Sequence, residues 1–218
     1  MARKSNIIVH VPIFGRRSIL ERFIEKCSFD IYAAASTPAD FDFCLQEPRI
    51  KDAIFAINDM DLKCQALLTY MRKIEPDAVL FLGCDDFLHP NFYQSLPRLL
   101  QNHDFIGFSN IYFHYKQATW LWPGYQSARR KGEPAGAGRV IRRDLLDKMD
   151  WKLWDGPFSE DAASWSQVKK HMENPLMLDC TNLGCTFVDV KDSKSATSIY
   201  QFDYLQRVHD DEHVKKII

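Results

Sequence analysis

The stretch Ala78-Val79-Leu80-Phe81-Leu82-Gly83-Cys84-Asp85-Asp86 decides the fold of this chain. Its five opening residues are apolar without polar alternation, which suits a β-strand covered on both faces, as in a parallel sheet. A Pro76-Asp77 break precedes the run, and two adjacent carboxylates end it. Upstream, the same alternation of strand and helix recurs. Residues 6–13 (NIIVHVPI) form a β-rich run that stops at Pro12 and Gly15. Residues 16–27 then place Ile19, Leu20, Phe23, Ile24 and Cys27 on one helical stripe. Residues 30–35 (DIYAAA) make a second strand, ended by Ser36-Thr37-Pro38, and residues 53–57 (AIFAI) a third. Asn58-Asp59 caps a helix that runs to about Ile74.

Four strand–helix alternations in about 100 residues predict an α/β domain with right-handed crossovers. The expected architecture is a Rossmann-like, central, mostly parallel sheet flanked by helices. Ligands of such sheets sit beyond the carboxyl ends of the strands. That rule gathers residues 12–16, Ser36-Thr37, Asn58-Asp59 and residues 83–86 around one crevice. The second half is less regular. Residues 104–115 read as one long or two short strands, and residues 119–125 (TWLWPGY) as a hairpin containing a turn. A short strand (139–141) leads to a helix (143–149), and Ser159 caps another that runs to about His171. Residues 176–180 and 185–190 are further strands, and the last twenty or so form a helix or a tail.

At 218 residues the chain fits a single domain, and with 46% hydrophobic residues it can bury a substantial core. Lys plus Arg total 28 against 29 for Asp plus Glu, a balance that argues against wrapping nucleic acid as the main function. A local basic stretch stands out all the same: Arg129, Arg130, Lys131, Arg139, Arg142 and Arg143. No apolar run reaches the ~20 residues of a membrane-spanning helix. Residues 1–6 pass straight into the first strand with no apolar leader. The six cysteines show no Cys-x-x-Cys spacing, which points to reduced thiols and a cytoplasmic location.

The sequence holds no more adjacent acidic pairs than chance places, so only their position carries meaning. Asp85-Asp86 lies at the carboxyl end of the most hydrophobic strand, in the expected crevice. Neighbouring carboxylates repel, and a hard cation resolves that repulsion: Mg²⁺ or Mn²⁺ takes one or two carboxylates and shares its other positions with water and phosphate oxygens. The competing reading is a solvated turn with a helix cap. Glu160-Asp161 opens a helix behind Gly156-Pro157, between Trp154 and Trp165. A carboxylate there suits a general base, because apolar walls raise its pKa. The competing reading is an acid placed to satisfy the helix dipole.

The order of these features resembles the GT-A glycosyltransferases, most nearly the inverting family-two type, over about residues 6 to 170. The resemblance implies a nucleotide-sugar donor, expected to be a UDP-sugar, with Asp85 and Asp86 on the metal and Asp85 near the donor. It makes Asp161 the base with Glu160 beside it, puts Pro12 and Ser36 in the nucleotide pocket, and sets Asn58-Asp59 near the base or ribose. The family's Asp-x-Asp here reads Asp-Asp-Phe, which leaves the direct ligand open. No acid directly follows the second strand, and Asp40 or Asp42 takes that role. The Gln-x-x-Arg-Trp signature of processive synthases is absent. The resemblance further implies a cation on the leaving diphosphate, for which Lys191 and Arg139 are candidates, and a C-terminal metal histidine, His209 or His213. Trp122 and Trp154 are expected at the acceptor with Arg139, among the aromatics Trp120, Tyr125 and Trp151.

On this reading residues 1–101 form the nucleotide-sugar-binding half, 102–190 the acceptor-binding half and 191–218 a tail or helix. The basic stretch suggests an anionic acceptor such as hydroxymethylated pyrimidine in DNA, as in small phage-type enzymes, whose chemistry needs an exposed base. The alternatives are a saccharide or lipid-linked acceptor, a sugar-phosphate nucleotidyltransferase, or a non-catalytic nucleotide-sugar-binding module.

Overall fold

A computed structural model describes residues 5–154, 160–182, 184–192, 199, 202 and 204–218. The amino-terminal part runs β1 (Ile7–Ile13), α1 (Arg17–Lys26), β2 (Asp30–Ala35), α2 (Pro38–Gln46), β3 (Ile50–Phe55), α3 (Met60–Arg72) and β4 (Ala78–Phe81). Next come β5 (Asp86–Leu88), α4 (Pro90–Leu99), β6 (Phe105–Phe108), β7 (Ile111–Tyr115), β8 (Ala118–Trp122), β9 (Arg139–Arg142) and α5 (Arg143–Lys148). The described chain ends with α6 (Glu160–His171), β10 (Pro175–Leu178), β11 (Phe187–Val190), β12 (Gln206–Val208) and α7 (Glu212–Lys215).

Seven strands form the main sheet in the order β10-β6-β9-β4-β1-β2-β3. Every neighbouring pair is parallel except those of β9, which runs antiparallel to both β4 and β6. The lack of alternation in the sequence has the expected cause, since both faces are covered. Ile7, Val9 and Val11 pack with Leu20 and Phe23 of α1 and Phe92 and Leu96 of α4. Ile8 and Val79 face the other way, onto Leu67 and Met71 of α3, Leu146 of α5 and Val168 of α6. Asp59 caps α3, its carboxylate accepting from the Leu62 amide at 3.0 Å. Thr37 caps α2 and is followed by Pro38 in the first turn, a helix start not among the expectations above.

A second sheet, β12-β8-β7-β11-β5, crosses the carboxyl edge of the first. The strand β5 follows β4 after a four-residue loop, so the acidic pair lies where one sheet hands over to the other. Three expectations change here. The third strand is Ile50–Phe55, not 53–57, because Ile50 pairs opposite Ile31. Residues 119–125 are not a hairpin by themselves; β7 and β8 form it, turning at Lys116 and Gln117. The carboxyl-terminal stretch, expected as a helix or a tail, holds the short helix α7 and also a strand, β12, which adds to the second sheet along β8. Ser159, the expected cap of α6, and the turn at residues 155–157 lie outside the described residues.

Candidate active site

The carboxyl ends of β1 and β4 and the inner face of the second sheet enclose a cavity of about 320 Å³. Its wall contains Pro12, Asp85, Asp86, Trp122, Trp154, Asp161 and Lys191. The other called residues lie elsewhere. Ser36 is half-buried with its hydroxyl 3.4 Å from the Ile57 carbonyl, Asn58 and Asp59 are exposed, and Asp59 serves α3 as its cap. Asp40 is buried, accepting from the Gly15 amide at 2.9 Å and the Thr37 hydroxyl at 2.8 Å, so it braces the loop after β1.

Asp85, Asp86 and Asp189 each bring an oxygen within 4.8 Å of the others, a group suited to a metal ion. The main-chain ladder enforces this. In the antiparallel pair of β5 and β11, Asp86 stands directly opposite Asp189. Like charges facing each other across a ladder are destabilising, and here both are withdrawn from water. Asp86 is 3% exposed and the Asp189 side chain 13%. Burial, with Asp189 and Asp85 adding to it, holds the Asp86 carboxyl well above the usual carboxylate range. Burial also raises Asp189 to about 7, against the pull of Lys191 and with a push from Asp85.

Donors meet part of this charge. Asp86 accepts from the Gly83 amide at 2.5 Å, and Lys191 reaches Asp189 Oδ2 at 2.5 Å. Arg16 reaches Asp85 Oδ2 at 2.6 Å. Asp189 Oδ1, by contrast, is a buried acceptor with no hydrogen-bond partner among the described residues. An unpartnered carboxylate oxygen in an all-oxygen cluster is the environment a hard divalent cation fits. The residues present therefore fit Mg²⁺ or Mn²⁺. Sequence reasoning missed Asp189: a lone acid inside the apolar run Phe187–Val190 carries no local motif, and its partners are about 100 residues away along the chain.

At the far wall, Asp161 in the first turn of α6 accepts from the Tyr125 hydroxyl at 2.8 Å. Its carboxylate lies over Gly136, where a Cβ would fall 2.6 Å from Oδ2 and nearer still to Oδ1. Glu160 begins α6, and its side chain lies outside the described part of the structure. Arg130 stacks on the Tyr125 ring at 3.6 Å and forks onto Glu133 at 2.6 and 2.9 Å. Trp154 stacks on His10 with centroids 5.6 Å apart. Burial lowers the His10 imidazole to about 4, opposed by the bond between Nε2 and the Cys64 carbonyl at 2.9 Å.

Two expectations about cations and histidines are corrected. Arg139 does not face an acceptor. It is 2% exposed, and it donates to the carbonyls of Pro134, Ala135 and Asp161 and to the Ser164 hydroxyl. Holding loop 134–137 against α6 is its structural role. His209 is exposed beyond β12, and His213 lies edge-on to Tyr112, neither of them in the acidic cluster. Four of the six cations of the basic stretch are paired within the chain, while Arg129 and Lys131 are exposed. Arg130 is taken by Glu133, Arg139 is buried, Arg142 pairs with Asp144, and Arg143 with Glu75 and Asp77.

The comparisons bear on the frame that holds this site. No family model matches the sequence, and no curated protein matches it. Among solved structures, S. aureus TarS 1–349 superposes at a TM-score of 0.58 and 12% identity. The match covers 85% of this chain and 60% of that one. The chain has a GT-A fold. A longer TarS structure matches at the same score and identity, and there this chain spans 37% of the partner's length. A glycosyltransferase involved in the glycosylation of the major capsid of PBCV-1 matches at a TM-score of 0.48 and 12% identity, covering 89% of this chain and 96% of that one. Identities this low speak for the GT-A fold alone. Among the described residues, no helix is long and apolar enough to cross a membrane.

Proposed function

We propose that this GT-A chain is a metal-dependent glycosyltransferase that moves a sugar from a nucleotide-sugar, a UDP-sugar on this reading, to an acceptor hydroxyl with inversion. The observation that carries the proposal is the trio Asp85, Asp86 and Asp189, with a buried unpartnered oxygen, facing Asp161 across one cavity. The trio would hold Mn²⁺ or Mg²⁺, and charge developing on the departing diphosphate is neutralised when the ion is bound there. Lys191, fixed by Asp189 in the wall of the same cavity, is a cation for the leaving diphosphate on this reading. Pro12 at the end of β1 lines the nucleotide side of the same cavity.

Asp161 accepts the proton of the acceptor hydroxyl while the acceptor oxygen bonds to the anomeric carbon. The bond from that carbon to the diphosphate breaks, and the nucleoside diphosphate leaves. One displacement inverts the carbon, as in inverting sugar hydrolysis. Tyr125 donates to one carboxylate oxygen and so fixes the orientation of the base. Trp122 and Trp154 line the wall beside Asp161, and aromatic faces of this kind stack on sugar rings. The DNA acceptor is weakened, since four of the six cations that prompted it are paired with acids of this chain.

Release of UDP from a panel of UDP-sugars tests the function, because donor hydrolysis needs no known acceptor. Release should require Mn²⁺ or Mg²⁺, stop with chelator, and fall by more than about 100-fold in Asp86→Ala. Metal-independent release, unchanged in Asp86→Ala, would refute the assignment.

A further inference from the structure

Among the charged residues of the cavity wall, Arg16 is the one for which the reaction outlined above has no role. It stands between β1 and α1 with a left-handed backbone, φ 60° and ψ 39°, directly after Gly15 at φ 64°. Non-glycine residues take that conformation only at an energetic cost, and such strain clusters at functional positions. What the strained loop achieves is a side chain aimed into the acidic cluster. Nη1 meets Asp85 Oδ2 at 2.6 Å, Nη2 donates to the Val190 carbonyl at 2.8 Å, and Nε meets Asp192 Oδ2 at 3.2 Å. The side chain is only 9% exposed. Asp85 therefore has a cationic partner already, and that partner and a divalent ion are rivals for the same carboxylate.

The surroundings give the guanidinium somewhere to go. Arg16 lines the 320 Å³ cavity, and together with Asp192 it also lines a second one, of about 590 Å³, around the start of α1. It stands as the partition between them. A planar guanidinium with several N–H donors matches a diphosphate better than it matches a single carboxylate oxygen. We infer that Arg16 is a further donor-binding residue, which pairs with Asp85 and turns onto the diphosphate when metal and nucleotide bind together. The inference rests on the metal-dependent donor site proposed above. It makes binding ordered: metal alone is resisted, and the diphosphate supplies the new partner that releases Asp85.

The experiment measures Mn²⁺ binding by the free-ion electron paramagnetic resonance signal, first without nucleotide and then UDP binding by calorimetry in saturating Mn²⁺. It compares wild type, Arg16→Gln, Arg16→Lys and Asp86→Asn. With its competing cation removed, Arg16→Gln should bind Mn²⁺ alone more tightly, by about threefold or more, and bind UDP with Mn²⁺ about tenfold more weakly. Arg16→Lys, which keeps the charge and loses the fork, should leave Mn²⁺ affinity unchanged and still weaken UDP. Unfolding midpoints of both variants within a few degrees of wild type, about the shift of 1 kcal/mol, secure the comparison. Weaker or unchanged Mn²⁺ binding in Arg16→Gln would show a merely structural clasp and overturn the inference. Tighter Mn²⁺ with unaltered UDP affinity would overturn it as well, leaving Arg16 as a simple obstruction. If wild type binds no Mn²⁺ that Asp86→Asn abolishes even with UDP present, the donor-site reading itself fails and takes this one with it.

Discussion

Replacing Gly136 by alanine isolates the proposed base from the rest of the fold. Gly136 is not among the residues at positive φ, so alanine can adopt its backbone, and the three atoms nearest its Cβ all belong to the Asp161 carboxylate. A Cβ there would lie 2.6 Å from Oδ2 and nearer to Oδ1, whereas carbon makes relaxed contacts at about 3.5 Å or more. The carboxylate must therefore shift by more than about 1 Å, which is the displacement that costs ~100-fold in a positioned catalytic group. Stability should hardly change. Losing the Tyr125 bond costs about 1 kcal/mol, and the reduced freedom of the unfolded chain returns about 0.4–1 kcal/mol. The assay is the initial rate of UDP release at saturating donor, paired with urea unfolding. The expectation is a turnover drop near 100-fold at unchanged stability, with Gly136→Ala added to Asp161→Asn making nothing worse. Turnover within about twofold of wild type would refute Asp161 as the base, since the geometry forbids it to stay where it is.

Other consequences can be checked separately. Tyr125→Phe should lower turnover by about tenfold without moving the unfolding midpoint much, since it removes one orienting hydrogen bond from an acid that keeps its place. Mn²⁺ should raise the unfolding temperature of wild type by mass action and leave that of Asp189→Asn unmoved; an equal rise in both would remove Asp189 from the ligand set. His10 is neutral and buried with its pKa lowered to about 4, so the unfolded chain binds its proton first as pH falls. Its share of stability is complete above the unfolded value near 6.5 and is lost as pH drops toward 4, with about 2 kcal/mol gone by pH 5. Urea titrations at pH 7 and 5 should show that loss in wild type and a smaller one in His10→Gln; parallel losses would place the acid sensitivity elsewhere.

The parts of this molecule that were legible in the sequence are those whose cause is local. Residues 78–82 announce a strand covered on two faces because burial on both sides removes polar alternation, and β1 with α1, and β2, follow the same logic, whereas α2 behind its Thr37-Pro38 start was not read. The place of Asp85 and Asp86 in the crevice was legible for the same reason, since a strand's carboxyl end can be read from where its apolar run stops. The hairpin of β7 and β8 was not, because its turn uses Lys116 and Gln117 at φ 46° and 65° in place of the usual glycine or asparagine. Asp189 and Arg16 were missed for a further reason. Each meets Asp86 or Asp85 across some 70 to 100 residues of chain, through strand pairing and a loop reversal that no spacing rule encodes. Arg139 shows the converse error: six cations close in sequence suggested one surface, and the fold turned the most central of them inward.

The central claim is that Asp85, Asp86 and Asp189 together carry the ion that holds the donor diphosphate. Anomalous diffraction from crystals grown with Mn²⁺ and UDP tests it directly. The account predicts one strong Mn²⁺ peak at coordination distance, about 2.0–2.3 Å, from carboxylate oxygens of the trio, with the UDP diphosphate on its open side. A peak bound by other residues, or UDP seated in the cavity with no ion at the trio, would contradict it.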